Sequence, residues 1–326
     1  MTNAFLGLSL SAILMIACPA MAAPIDAQAV NTATIASLPF EALAEKPKDP
    51  DPAIVHLQVL LDRAGASPGV IDGYFGENLT KAIAGFEALQ RLPIDGKLNP
   101  KVFARLTDEV ATVQAYAITA DDAKDIVESI PRDYAEQANM EHLGYTSVAE
   151  KLAERFHMDI GLLKTLNPTA TFKPGETVAV AIPGGPKTGL VKRIEVHRKV
   201  AQVFAFSEDG SLLAVYPATI GSEETPSPTG THKVKGVSRM PVYTYNPKIN
   251  FQQGNNKKVL ELPSGPNGPV GTVWIDLTEP TYGIHGTPEP ELIGKVGSHG
   301  CVRLTNWDVE ELAGMVKPGV IVEFVE

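Results

Sequence analysis

Residues 283–304 read GIHGTPEPELIGKVGSHGCVRL and hold the densest group of reactive side chains in the chain. Three of these residues, His285, His299 and Cys301, each adjoin a glycine. A thiol attacks as its thiolate, and a nearby imidazole or backbone N–H groups must lower its pKa before it is useful near neutral pH. The pattern therefore indicates a reactive cysteine at position 301 with a histidine partner.

We expect the two histidines to have different roles. His285 is predicted to end a strand, and the loop after it is long enough to fold back and place its ring against Cys301. His299 lies two residues before Cys301, so we expect it to shape the turn or the substrate wall. Gly300 lets the backbone approach closely, and the amides of residues 299–301 can converge into an oxyanion hole. Thiolate, base and oxyanion hole together define acyl transfer through a thioester.

The same three side chains could instead bind zinc, which accepts histidine and cysteine ligands. No carboxylate or fourth histidine lies at helical ligand spacing from them, and the other histidines are scattered singly along the chain. A cysteine without a partner is also often a small buried residue with no chemical role. We favour the nucleophile, and we predict no metal and no cofactor.

The residues around this stretch predict a mostly β domain with one helix after the nucleophile loop. Thr305 and Asp308 have capping-box spacing, and the helix is expected to run to about Met315. Short runs of branched and aromatic residues predict the strands, at 190–196, 201–206, 212–219, 230–237, 271–276, 282–285 and 320–325.

Part of this stretch resembles the signature of the L,D-transpeptidases, whose catalytic domain is called YkuD-like. The matching residues are His285-Gly286-Thr287, Gly294 and 298–304. The resemblance spans residues 189–326. It implies a mostly β domain in which a cysteine attacks the carbonyl between meso-diaminopimelate and D-alanine of a tetrapeptide stem, so that D-alanine leaves. Cys301 would be the nucleophile and His285 the general base and acid.

The resemblance also implies supporting roles. His299, Gly300 and Cys301 itself would supply the oxyanion hole. Ser298 would orient an imidazole or cap the turn, of which we favour the turn. Arg303 would bind a substrate carboxylate or form a structural salt bridge. Substrate binding is assigned to a group of three residues, Arg303, Gly286 and Thr287.

The acceptor stays open at this point. An amine of a second stem would give a 3-3 crosslink, the lysine of an outer-membrane lipoprotein would give an anchored protein, and water would give a trimmed tripeptide. A free D-amino acid would be exchanged for D-alanine. The alternatives are therefore a carboxypeptidase acting on the same stems, or a non-catalytic peptidoglycan-binding protein.

Residues 51–107 predict a small all-α domain. Apolar residues recur at helical spacing at 54–61 and at 79–89, and two Asp-Gly pairs, at 72–73 and 95–96, are turn signals. The segment resembles a three-helix peptidoglycan-binding domain, with Glu87 where that family usually has glutamine. As an alternative, the bundle would be a spacer.

Residues 108–140 are predicted to be a connecting linker, and residues 141–185 a small α+β domain. A helix at 148–156, a second apolar stretch that stops at Asn167 and Pro168, and a strand at 176–183 resemble a LysM module, a glycan binder. The first strand of such a module is not visible in the sequence. A purely structural linker domain is the alternative. The predicted fold is thus multidomain, with two small upstream domains and the catalytic domain.

The N-terminus predicts export. Residues 5–21 are almost entirely apolar, and Ala20-Met21-Ala22 fits the small-x-small cleavage pattern, so residues 1–22 are predicted to be a signal peptide. An uncleaved anchor and lipid attachment at Cys18 are alternatives. Residues 23–50, which end in a charged proline-rich stretch, are predicted to be a linker. We expect a soluble periplasmic protein, and its net charge of −10 argues against a nucleic-acid partner.

Overall fold

The computed structural model describes residues 25–38, 49–106, 110–222, 225–298 and 300–326. The predicted signal peptide at 1–22, residues 23–24 and 39–48 of the linker predicted at 23–50, and His299 lie outside these ranges. Within them, every helix is too short or too polar to cross a lipid bilayer.

The N-terminal unit is helical. It contains α1 (Ala27–Thr32), a 3-10 turn (Ile35–Ser37), α2 (Pro52–Arg63), α3 (Glu77–Leu89) and α4 (Pro100–Phe103). The Asp51 side chain caps α2 by accepting from the amides of Ala53 and Ile54, and Pro52 occupies the first turn, where its missing N–H costs nothing. The two helices predicted from apolar spacing are confirmed.

Helix α1 lies in the segment predicted as a linker, and it is packed rather than extended. Ile25 and Val30 are buried in the same apolar core as residues of the middle unit. The Asn31 side chain also accepts hydrogen bonds from the backbone amides of Thr112 and Val113, at 2.8 and 2.9 Å. The segment before the predicted proline-rich tether therefore contributes to the fold.

The middle unit is a two-stranded antiparallel sheet with helices between its strands. Strand β1 (Val113–Ala117) pairs with β2 (Thr177–Ala181), and the connection carries α5 (Tyr134–Gln137), α6 (Val148–Arg155) and α7 (Ile160–Leu166). The sequence predicts a linker over 108–140, whereas the structure has β1 and α5 there. Only Val113 of β1 is fully buried, so the strand lacks the alternating apolar pattern that would reveal it. The LysM resemblance of this unit stays a prediction.

The C-terminal unit is built on an eight-stranded sheet in the order β11-β10-β9-β6-β12-β3-β4-β5. Its apolar core includes Val203, Ile275 and Val322, which are fully buried. The elements are β3 (Arg193–His197), β4 (Gln202–Phe206), β5 (Leu212–Pro217), β6 (Gly230–Arg239), β7 (Tyr243–Tyr245), β8 (Leu260–Leu262), β9 (Val273–Leu277), β10 (Gly283–His285), β11 (Val302–Arg303), α8 (Asn306–Met315) and β12 (Ile321–Val325).

The predicted strands and the predicted helix all have counterparts here. The Thr305 hydroxyl accepts from the Asp308 amide at 3.1 Å and so begins α8 as the capping pattern indicates. The short pair β7 and β8 and the two-residue strand β11 were not predicted. Each has three residues or fewer, which is too short for a periodic signal.

The three units contact one another through hydrogen bonds. The backbone of Val215 in β5 bonds to Gly65 and Ser67 just after α2, at 2.8 and 2.9 Å. The Asn78 side chain of α3 donates to the Ile293 carbonyl at 2.9 Å, within the stretch that carries the reactive residues. The helical unit therefore packs beside the loop between β10 and β11.

Candidate active site

Two parallel strands bring Cys301 and His285 together. Strands β10 and β11 pair with Ile284 opposite Val302 and His285 opposite Arg303. If this pairing is continued one residue toward the start of both strands, Cys301 lies beside Gly283, which is two positions before His285. Because side chains alternate between the faces of a sheet, Cys301 and His285 share one face. The loop after His285 folds back, as the sequence predicts.

Both side chains line a cavity of about 410 Å³. Arg303 lines it too, so three of the predicted site residues meet in one place. Much of the remaining wall is aromatic, from Tyr134, Tyr243, Phe251, Trp274 and Tyr282. A concave, largely apolar site with a few convergent polar groups is the usual form of a small-ligand site.

His285 is positioned to act as a neutral base. Its side chain is buried, stacks on the Trp274 ring at 5.4 Å between centroids, and places Nδ1 2.7 Å from the Gly286 carbonyl oxygen. A carbonyl only accepts, so we assign the proton to Nδ1, which leaves Nε2 as the unprotonated nitrogen. The pKa of His285 is lowered to about 3, chiefly by burial and then by the Arg303 charge, while the hydrogen bond to the Gly286 carbonyl opposes both effects.

Cys301 is held as a neutral thiol. Burial raises its pKa above the ordinary value, and the Gly283 backbone and the Arg303 charge offset only part of that effect. The Sγ atom donates to the Thr281 carbonyl oxygen at 3.8 Å. Thr281 has φ of 71°, a left-handed conformation that is strained for a β-branched residue. Strained backbone therefore directs a carbonyl at the thiol.

The turn before Cys301 is fixed by serine hydroxyls. Ser298 Oγ donates to the Cys301 carbonyl at 2.5 Å, and Ser227 Oγ donates to the Gly300 carbonyl at 2.7 Å. Gly300 has φ of 105°, and a Cβ there would lie 2.7 Å from the Tyr282 ring. Only glycine fits this position.

The oxyanion-hole roles predicted for His299, Gly300 and Cys301 stay predictions, and the Gly300 amide has a partner within the turn. It donates to Ser298 Oγ at 3.2 Å, so in this conformation it is not free to join an oxyanion hole. The Cys301 amide, in contrast, makes no hydrogen bond to a described residue. His299, the third predicted member, lies outside the described residues. The Ser298 hydroxyl bonds the Cys301 carbonyl and the Gly300 amide within the turn, and no hydrogen bond joins it to the imidazole of a described histidine.

Of the three predicted substrate-binding residues, Arg303 lines the cavity and the other two do not. Arg303 faces the cavity, and within the described parts of the chain no carboxylate forms an ion pair with it. Gly286 packs on Asn306, where a Cβ would lie 2.2 Å from Oδ1. Thr287 is buried, and its hydroxyl accepts from the Glu289 amide at 3.2 Å. Neither Gly286 nor Thr287 is among the described residues that line the cavity.

Among the described residues, no group of three or more histidine, cysteine or acidic side chains is arranged to hold a metal ion. The zinc alternative also needs His299, which is outside that set.

A separate cavity of about 580 Å³ lies where the three units meet. Asp62 Oδ1 is 3.1 Å from His157 Nδ1, and the Ser67 hydroxyl donates to Asp308 at 3.0 Å. Burial raises the pKa of Asp308 to about 8. These groups bind one another across the junction, so they join the units.

Several wall residues could not be identified from the sequence. Tyr243 and Phe251 belong to the region between β6 and β9, which has little repeating pattern. Trp274 lies on a predicted strand, but nothing in the sequence indicates that it stacks on His285. Tyr134 comes from the segment predicted as a linker, and no local signal connects it to residue 301.

Comparisons with known proteins agree with this geometry. A family model for the L,D-transpeptidase catalytic domain matches residues 191–323, and a family model for a peptidoglycan binding domain matches residues 50–106. A Bacillus licheniformis protein named "Putative L,D-transpeptidase YkuD" is 33% identical over 143 residues, covering 43% of this chain and 70% of that protein. YkuD of Bacillus subtilis is 29% identical over 168 residues, covering 52% and 87%. The chain therefore belongs to the L,D-transpeptidase family, and residues 50–106 of its N-terminal unit form a domain of the peptidoglycan-binding family.

Solved structures are also similar in part. An L,D-transpeptidase from Mycobacterium smegmatis has a TM-score of 0.34 and 19% identity, covering 47% of this chain and 64% of that one. An Enterococcus faecium L,D-transpeptidase has a TM-score of 0.32 and 22% identity, covering 44% and 56%. The chain thus spans less than two thirds of each of these solved chains.

Proposed function

We propose that the protein acts on peptidoglycan stems through a thioester on Cys301. Sγ attacks the amide carbonyl between meso-diaminopimelate and D-alanine, and His285 Nε2 takes the thiol proton as the S–C bond forms. When the C–N bond breaks, the imidazolium returns that proton to the amine of the leaving D-alanine. The placement of Cys301 and His285 on one face of β10 and β11, in one cavity, is the observation that carries this proposal.

The charge states of the two groups fit a general-base mechanism. A neutral thiol needs a base at the moment of attack, and a neutral imidazole with a free Nε2 is that base. The Cys301 amide is the described candidate for stabilising the oxyanion, because its N–H donates to no residue in the described ranges. A second donor is required, and His299 is the proposed source.

The second half of the reaction transfers the acyl group. An acceptor amine attacks the thioester carbonyl, and His285 takes the amine proton as the C–N bond forms. The imidazolium then gives this proton to Sγ as the C–S bond breaks, which regenerates the thiol and the neutral imidazole. A diaminopimelate amine of another stem gives a 3-3 crosslink, a lipoprotein lysine gives an anchored protein, and water gives hydrolysis. The peptidoglycan-binding domain at 50–106 supports peptidoglycan as the partner. We place the reaction in the periplasm, after export and removal of residues 1–22.

The test is to incubate the purified protein with disaccharide tetrapeptide and identify the products by mass. A crosslinked dimer with released D-alanine is expected, and a trimmed tripeptide would identify a hydrolase instead. Cys301→Ala should abolish both products while leaving the thermal unfolding transition intact. Stoichiometric zinc in the active protein, or no product from wild type, would contradict the proposal, and the latter result would favour a non-catalytic binding protein.

A further inference from the structure

The segment between β1 and α6 belongs to the middle unit in sequence but packs on the catalytic unit. Leu143 is fully buried against Tyr245 and Leu262 of the β7 and β8 pair. The Leu143 amide donates to the Ser264 carbonyl at 2.9 Å. The segment is therefore fixed to the wall of the catalytic cavity.

Polar contacts hold the beginning of α5 in place. Gln253 Nε2 donates to the Arg132 carbonyl at 2.8 Å, and Gln253 Oε1 accepts from the Tyr134 amide at 3.2 Å. Asn256 Nδ2 donates to the Asp133 carboxylate at 3.0 Å. These bonds join the start of α5 to the loop between β7 and β8, and they fix the backbone position of Tyr134.

Tyr134 forms part of the aromatic wall around Cys301. Its ring packs edge to face against the rings of Tyr245, Phe251 and Tyr243. The distances from the Tyr134 ring centroid to theirs are 5.3, 6.1 and 6.2 Å, respectively. It lines the same cavity as Cys301 and Arg303. Its hydroxyl makes no hydrogen bond to any residue in the described ranges, although the neighbouring Tyr245 hydroxyl does, with the Gln253 amide at 2.9 Å.

We propose that Tyr134 is a substrate-binding residue, contributed to the catalytic cavity by the middle unit, whose hydroxyl and Arg303 together hold a carboxylate of the donor stem peptide. The inference rests on the proposed function. A guanidinium and a phenolic O–H are both donors that suit a carboxylate. The tyrosine ring offers the adjoining aliphatic part of the peptide an apolar surface.

The electrostatics agree with this role. Burial raises the pKa of Tyr134 to about 12, and the positive charge of Arg303 opposes that effect. The hydroxyl is therefore protonated at neutral pH and able to donate. Arg303 faces the cavity without a carboxylate partner among the described side chains, so a substrate carboxylate would supply the missing acceptor.

The inference is tested by binding, which does not depend on turnover. In the Cys301→Ala protein, the Kd for disaccharide tetrapeptide is measured by calorimetry with and without Tyr134→Phe. The control is Tyr145→Phe, because Tyr145 is in the same segment but donates to Glu154 and does not line the cavity. Tyr134→Phe should weaken binding about tenfold, as for loss of a hydrogen bond to a charged group, and Tyr145→Phe should change Kd less than twofold.

Amidated substrates identify the carboxylate. The measurement is repeated with the side-chain carboxyl of diaminopimelate amidated and, separately, with the terminal D-alanine carboxyl amidated. The effect of Tyr134→Phe should fall below twofold on one of these ligands, because the recognised group is then gone. An unchanged Kd for Tyr134→Phe, or an equal loss on all three ligands, would overturn the inference. Absence of D-alanine release by wild type would instead overturn the proposed function.

Discussion

Asn306 Nδ2 donates to both carboxylate oxygens of Glu154, at 3.1 and 3.0 Å. The bond joins α6 of the middle unit to the first residue of α8 in the catalytic unit. It also fixes Asn306 Oδ1, which accepts from the Thr272 amide at 3.2 Å and lies against Gly286. The glycine that follows His285 is therefore required by packing against Asn306.

Gly286→Ala should destabilise the protein. A Cβ would lie 2.2 Å from Asn306 Oδ1, and relieving such an overlap in a packed core typically costs about 1–3 kcal/mol. Gly314→Ala is the matched control, since nothing lies within 4 Å of a Cβ there and the residue is on α8. Urea unfolding measures both. If the Gly286→Ala protein were as stable as wild type, packing against Asn306 would not be the reason that a glycine is needed at position 286.

The Glu154 carboxyl should make stability depend on pH. Burial raises its pKa from 4.5 to about 8 in the folded state. The unfolded chain then loses this proton at lower pH than the folded chain, so the free energy of unfolding should fall as pH rises from about 4.5 to 8. Glu154→Gln should flatten that part of the profile and be more stable than wild type at pH 8. Parallel profiles for the two proteins would contradict the assignment.

Glu87 and Gln58 hold the two Asp-Gly turns of the peptidoglycan-binding domain in the same way. Gln58 Oε1 accepts from the Asp72 and Gly73 amides, and Glu87 Oε2 accepts from those of Asp95 and Gly96, all within 3.1 Å. The other Glu87 oxygen is buried with no partner among the described residues, and burial raises the pKa of this carboxyl.

Glu87→Gln should therefore stabilise the protein by about 1 kcal/mol at pH 7.5. The new amide can donate to Asp95 as Gln58 Nε2 donates to Asp72, at 2.8 Å. The gain should shrink at acid pH, where Glu87 is protonated and no longer carries a buried charge. Gln58→Glu is the reciprocal variant and should lower the melting temperature at pH 7.5. Destabilisation by Glu87→Gln at that pH would refute this account of the turn.

The Cys301 thiol should react slowly at neutral pH and faster in alkali. Burial raises the pKa of the Cys301 thiol and lowers that of the His285 imidazole, so both groups are uncharged near neutral pH. The rate of alkylation by iodoacetamide, followed by intact mass, should still be rising at pH 9. A plateau reached below pH 7 would indicate a thiolate–imidazolium pair instead.

The sequence predicts the catalytic sheet well where a strand alternates between buried and half-buried residues, as in β9, where Val273, Ile275 and Leu277 are buried. It also locates Cys301 and His285, since both lie in one glycine-rich stretch. It does not reveal β1, which buries one residue fully, or the role of Tyr134. That side chain reaches the cavity only through contacts with residues more than a hundred positions away, which no local pattern records.

Cys301 is expected to carry the acyl group of the stem during turnover, and the mass of that adduct can be measured directly. Wild-type protein is mixed with tetrapeptide, quenched in acid within the first turnover, and analysed by intact mass and peptide mapping. We expect an adduct on Cys301 with the mass of the donor less D-alanine, formed in step with D-alanine release. An adduct on another residue, or D-alanine release that Cys301→Ala leaves undiminished, would contradict it.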